Sequence, residues 1–295
     1  ATGVNGAFRL GAPAPGRYAV AVLRIGQHPW LSPVLDLSPG ADQRLTLVPP
    51  DDPVVLDAIT VEARTQCRVS LDDQSLIGSL LSEAEKALTL TKLAMERGAV
   101  GYVVHRWERN LTPAFTLIDS TGQMDIDVAW PIRSAPPESL ARHGFVYEEG
   151  PHADNPQGGT TWFGPDAVTL FSPWFLETHC FRTSRGTDDL DAVEVAFEPA
   201  PGRRNPDIEG KLVLGRGTLE LQRLEWRYVR LLAWVDRRGA GGEVTLQRLP
   251  SGAYVPKRWW MRGPVHGITT FTGATRRWER VVGWHEIGGE LVARP

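Results

Sequence analysis

The chain has 295 residues, 42% hydrophobic and 23% charged, with a formal net charge of −3. That length can bury a substantial core in one large domain or two modules, while the charge excludes a global attraction to nucleic acid or acidic membrane surfaces. No run of about 18 apolar residues occurs, so no membrane-spanning helix is expected, and any leader peptide would already have been removed ahead of Ala1.

In chain order, residues 6–63 read as short strands parted by turn signals. Phe8 and Leu10 alternate with Arg9, Pro15 and Gly16 make a turn, and Tyr18, Val20 and Val22 resume the alternation. DQRLTLVPP and DAITVEAR supply two more strands. The pattern carried by Gly6, Phe8, Leu10, Pro15, Gly16, Tyr18, Ile25 and Gly26 resembles the carboxypeptidase regulatory-like domain. The resemblance implies a transthyretin-like β-sandwich over residues 1–63, with its first strands missing, of a kind found at the front of secreted and envelope proteins.

Residues 64–100 read as a linker and one amphipathic helix. From Ser75 to Arg97, Ile77, Leu80, Leu81, Ala84, Ala87, Leu88 and Ala94 fall on one stripe. Asp73 is the expected N-cap, and Gly98 suits the left-handed position that ends a helix. A lone helix of this kind must set its stripe against a sheet.

Residues 101–295 return to strand character. YVVHRWERNL, FTLIDS and MDIDVAW lead; residues 134–159, rich in Pro, Gly, Asp and Glu, read as loop; a short helix is expected near Ser172 to Glu177. From Asp207 to Arg262 an antiparallel meander follows. Ile208, Leu212 and Leu214 share one face of its first strand, Glu209, Lys211 and Val213 the other; Val244 and Leu246 oppose Glu243, Thr245 and Gln247; Pro250, Ser251 and Gly252 make a hairpin turn. A final strand pair lies in RRWERVVGWHEIGGELVA. The run from Val195 to Tyr228 is similar to envelope proteins with a sheet of the lipoprotein-carrier type. That resemblance implies a half-open curved sheet around an apolar cavity plugged by a helix, in the periplasm or on the outward side of the outer membrane.

Eleven Trp are present, several of them (Trp226, Trp259, Trp260, Trp284) in strands, where such rings either fill a packed core or line a concavity. Cys67 and Cys180 are either two buried single thiols or one disulfide closing a long loop, the latter in an oxidising compartment.

Motifs for chemistry are sparse. His179 and Cys180 are adjacent, so on a strand they point to opposite faces and cannot form a Cys-His dyad. Glu177 and His179 can share a face, His152 and Asp154 lie two apart, and His285 precedes Glu286, but no H-E-x-x-H, C-x-x-C or G-x-S-x-G occurs. Paired acids at Asp51/Asp52, Asp72/Asp73 and Asp188/Asp189 read as turn and cap residues. Lys257, Arg258, Trp259, Trp260 and Arg262 mix cations with rings as single-strand binders do, yet strand alternation explains their spacing and no nucleic acid is expected.

The expected fold is therefore mainly β (α+β): an incomplete β-sandwich module, then a curved antiparallel sheet packed on one amphipathic helix. The leading expectation for function is a non-catalytic envelope protein holding a lipid, acyl chain or hydrophobic peptide against Trp226, Tyr228, Trp259 and Trp260, without a cofactor. One rival is a hydrolase of esters or phosphoesters, with water activated by zinc or His among His152, Asp154, Glu177, His179 and His285. Another is a structural module that meets an envelope protein partner.

Overall fold

The computed structural model describes residues 6–54, 65–73, 75–96, 102–125, 131–149, 159–186, 191–231, 239–249, 254–270 and 277–293. At the front, β1 (Gly16–Tyr18) pairs with β4 (Leu35–Leu37), and β2 (Ala21–Val22) with β3 (Trp30–Leu31), as two short antiparallel ladders. Then come β5 (Thr65–Cys67), α1 (Leu76–Glu96), β6 (Tyr102–Leu111), β7 (Leu117–Asp125), α2 (Pro137–His143), β8 (Val146–Glu149) and β9 (Gly159–Trp162). The rest comprises α3 (Ala167–Leu170), α4 (Pro173–Thr178), β10 (His179–Arg185), β11 (Ala192–Pro199), β12 (Asp207–Gly215), β13 (Leu221–Val229), β14 (Gly241–Arg248), β15 (Tyr254–Thr270) and β16 (Arg277–Ala293). Ten strands form one antiparallel sheet in the order β5-β10-β11-β12-β13-β14-β15-β16-β6-β7. The fold is thus mainly β with few helices.

The meander read from Asp207 to Arg262 is the centre of this sheet, and Ile208, Leu212, Leu214, Val244 and Leu246 are buried on one face as their alternation requires. It is longer than its sequence signal: β11 precedes it, and β15 and β16 run to 17 residues each. Residues 134–159 are not all loop. Leu140 and Phe145 are buried anchors, Pro137 starts α2, and Gly144 with φ 82° ends it, so the Pro and Gly here cap elements rather than replace them. The expected short helix is α4, whose Ser172 hydroxyl accepts the Phe175 N–H. The strand read in residues 57–64 and the turn at residues 250–252 lie outside the described residues. Among the described residues, no helix is long and apolar enough to cross a membrane.

Helix α1 lies across the inner face of the sheet, packing on β15 and touching β10 to β13. Its stripe Ile77, Leu80, Leu81, Ala84, Ala87 and Leu88 is buried there. The N-cap is Ser75 rather than Asp73: Ser75 Oγ accepts the Gly78 N–H at 3.1 Å, while Asp73 accepts the N–H of Ser75 and an amide N–H of Gln66 one turn earlier. Both hydrogen bonds hold the Asp73 carboxyl below its ordinary value, that from Gln66 the more strongly.

The opposite side of α1 is not left to water. Glu83 is 1% exposed and Lys86 6%, paired at 2.6 Å. Glu83 Oε2 accepts the Gly26 N–H at 2.8 Å, and Lys86 Nζ donates to the Gln27 carbonyl at 2.7 Å. A second strip of the front region backs this clasp, with the Val54 N–H on the Gly26 carbonyl and the His28 N–H on that of Asp52. Both buried charges are thereby paired and hydrogen-bonded, the condition under which such a pair is tolerated.

Cys67 and Cys180 form a disulfide between directly opposed residues of β5 and β10. It closes a separation of 113 residues, worth about 4–5 kcal/mol in the chain-entropy model.

The abundance of Trp has a structural partner in Gly. Trp226 lies opposite Gly242, Trp259 opposite Gly289, and Trp107 opposite Gly288. Each indole occupies the space a Cβ on its glycine would need. At Gly242 that Cβ would come within 2.6 Å of both Trp226 Cη2 and the Trp260 carbonyl oxygen. Gly242→Ala is expected to lower stability by about 1–3 kcal/mol in urea unfolding, as overpacking does in a filled core; an unchanged midpoint would show that the ring can yield.

Candidate functional site

Of the four residues expected to wall a concavity, Trp226, Tyr228 and Trp259 share the face that α1 covers. Trp226 and Tyr228 are built into the core. Tyr228 donates its hydroxyl to the Phe163 carbonyl at 2.9 Å and meets the Trp162 ring edge-on at 4.8 Å, and burial pushes its phenol well above the ordinary value. Trp260 points the other way, because successive residues on a strand alternate faces. There the Arg262 guanidinium lies 4.8 Å from its ring centre and pairs with Glu286 at 3.2 Å. Trp259 borders a hollow on the inner face.

One cross-strand row explains why. Val195, Leu212, Leu224, Val244, Trp259, Gly289, Arg106 and Gln123 are paired in succession from β11 to β7. The first four are fully buried beneath α1, Trp259 is 5% exposed, Arg106 is half-buried and Gln123 is exposed. One continuous face therefore changes from sealed apolar core to polar surface where β15 meets β16. The next row, Met261, Ile287, Glu108 and Thr121, makes the same change. A recess of about 270 Å³ opens at this boundary. Trp259 and Ile287 give it apolar surface, and Arg106, Glu108, Thr121 and Gln123 border it with polar groups. Another hollow, of about 290 Å³, lies on the opposite face beside Glu194, Arg223 and Thr245, where Lys211 pairs with Glu194 at 2.9 Å and Arg223 with Glu225 at 2.6 Å.

The residues that a hydrolase would need are not assembled. His285 lies on the recess face, with Nε2 2.7 Å from Glu108 Oε1. His179 is on β10, with five strands between it and β16. Glu177 is exposed on α4, not beside His179 on a strand. His152 and Asp154 lie outside the described residues. No group of three or more metal-binding side chains occurs among the described residues.

His179 serves the interior instead. Fully buried, it stacks on Phe175 at 3.6 Å, donates from Nδ1 to the Phe175 carbonyl at 3.1 Å and sets Nε2 3.3 Å from Asp207 Oδ1. Asp207, also fully buried, is bound by Arg203 on its other oxygen, and the Arg203 guanidinium stacks on Trp174 at 5.0 Å from the ring centre. Arg230 fixes the loop bearing Arg203 through the carbonyls of Pro199, Ala200 and Arg203. Burial alone would raise the Asp207 carboxyl, but His179 and Arg203 together outweigh it and hold the carboxyl below its ordinary value.

Sequence reasoning found Trp259 and His285 but missed Arg106, Glu108, Gln123 and Ile287, because β6 and β7 join the meander through long-range pairing that local alternation does not encode. The chain matches no family model, no curated protein and no solved structure.

Proposed function

We propose that this chain is a non-catalytic envelope protein that binds the apolar part of a small amphipathic ligand, a lipid or acyl chain, in the recess bordered by Trp259 and Ile287. The observation that carries the reading is the change of character along the Val195–Gln123 row, which joins an apolar floor to a polar rim in one hollow. Small-molecule sites combine those two features. The volume suits a single short chain rather than a folded polypeptide. The disulfide supports an oxidising compartment, consistent with the envelope setting that the resemblances to regulatory-like and lipoprotein-carrier proteins imply. Titration with a dansyl-labelled acyl chain is expected to saturate and to reverse on adding unlabelled fatty acid. Gln123→Trp, a change at an exposed position that fills the recess, is expected to abolish binding while leaving the near-ultraviolet circular dichroism of the fold unchanged. Absence of saturable binding, or binding indifferent to Gln123→Trp, would overturn the reading.

One observation favours the hydrolase rival: the His285–Glu108 pair at the rim, in which a carboxylate orients an imidazole as a general base requires. Turnover of an activated ester that His285→Ala abolishes would promote it; turnover lost to a chelator and restored by zinc would add a metal to that site.

A further inference from the structure

The two ends of the ten-stranded sheet are treated differently. At one end, β5 has three residues and is covalently tied to its neighbour. At the other, β7 presents nine residues that, among the described residues, pair on one side only, and Leu117, Ile118 and Met124 are 55%, 61% and 58% exposed. Edge strands are usually blunted by brevity, Pro, charge or a bulge; LIDSTGQMD is nine residues long without Lys or Pro, and its one irregularity lies near its start, at Ile118.

We propose that β7 is the seam of a homodimer, pairing antiparallel with β7 of a second copy about a two-fold axis at Thr121. The sequence is self-complementary in that register. Thr121 faces the partner's Thr121, Ser120 faces Gly122, and Asp119 faces Gln123, five regular ladder pairs in all. A register slip in the β6–β7 ladder marks Ile118 as the point where regular pairing ends, and there Ile118 meets the partner's Met124, once at each end. The neighbouring symmetric register about Gly122 would set Ser120 against Met124, a hydroxyl against an apolar side chain. The register about Ser120 would leave Ile118 against glycine. Isologous pairing of this kind closes on itself, so it gives a dimer rather than a filament. It also brings a second strand to the open side of the recess, to which β7 contributes Thr121 and Gln123.

Sedimentation equilibrium of the full chain is expected to show a concentration-dependent monomer–dimer equilibrium. Ile118→Lys should weaken it about tenfold or more, since both symmetric apolar pairs are lost. Adding Met124→Glu to Ile118→Lys should restore it by setting Lys against the partner's Glu at both ends. A monomer at all concentrations, a dimer indifferent to Ile118→Lys, or failure of the double variant to recover would each overturn the proposal. Should Ile118→Lys fail to fold by near-ultraviolet circular dichroism, Thr121→Cys decides: oxidation should yield a covalent dimer, and its absence would refute the seam.

Discussion

Replacing Glu83 by Ala is expected to destabilise the chain by about 3–5 kcal/mol, the usual cost of leaving one member of a buried ion pair uncompensated. Glu83 and Lys86 are sealed between the sheet and the front region, so water cannot take over from the lost carboxylate. The same change frees the Gly26 N–H, which Glu83 Oε2 holds at 2.8 Å. Hydrogen exchange at the Gly26 amide should therefore accelerate by more than exchange in the central strands β12 to β14. Replacing the pair by well-packed apolar residues, Glu83→Leu with Lys86→Met, should recover much of the stability, because it leaves no orphaned charge. It should not recover protection at Gly26, which only an acceptor can supply. Equal exchange rates at Gly26 in the native and Glu83→Ala chains would remove the clasp from this description.

Asp207→Asn is expected to cost a similar 3–5 kcal/mol near neutral pH, because the Arg203 guanidinium then faces a buried site with no anion. Its pH dependence has a definite sign. A carboxyl held below its ordinary value in the folded chain contributes stability that is fully present above the unfolded value of about 3.9. That contribution is lost as pH falls below this value toward the lower folded one. The native chain should therefore lose stability steeply in that acid range, and Asp207→Asn should show a shallower loss there. Urea midpoints measured through the acid range test this. Parallel curves for the two chains would show that Asp207 is not held by its buried partners.

How far each feature was legible follows from what encodes it. The alternation in DIEGKLVLG and GGEVTLQR identifies the inner and outer faces of β12 and β14 because strand period is a local property. The stripe of α1 is likewise local. The burial of Glu83 and Lys86 is not: on an isolated helix they read as a solvated pair, and only the arrival of Gly26 and Gln27, 57 and 59 residues away, encloses them. Trp259 and Trp260 are adjacent on one strand, and alternation alone could have separated them; the Trp richness of the segment drew both to one wall. The recess is the least legible feature. Its polar side comes from β6 and β7, which close onto β16 across more than 160 residues of sequence, as the Ile287–Glu108 and Leu111–Trp284 pairings show. His179 reads as a candidate for activating water, yet its partners Phe175 and Asp207, on α4 and β12, make it part of the core.

The most direct measurement of whether the inner face holds a ligand is a crystal structure of the chain with a bromine-labelled acyl chain, located by anomalous scattering. The bromine peak should lie in the hollow between Trp259 and Gln123, with α1 still seated on β15. A peak beneath a displaced α1, a peak on the opposite face beside Glu194 and Arg223, or no ordered bromine at all would contradict the proposed site.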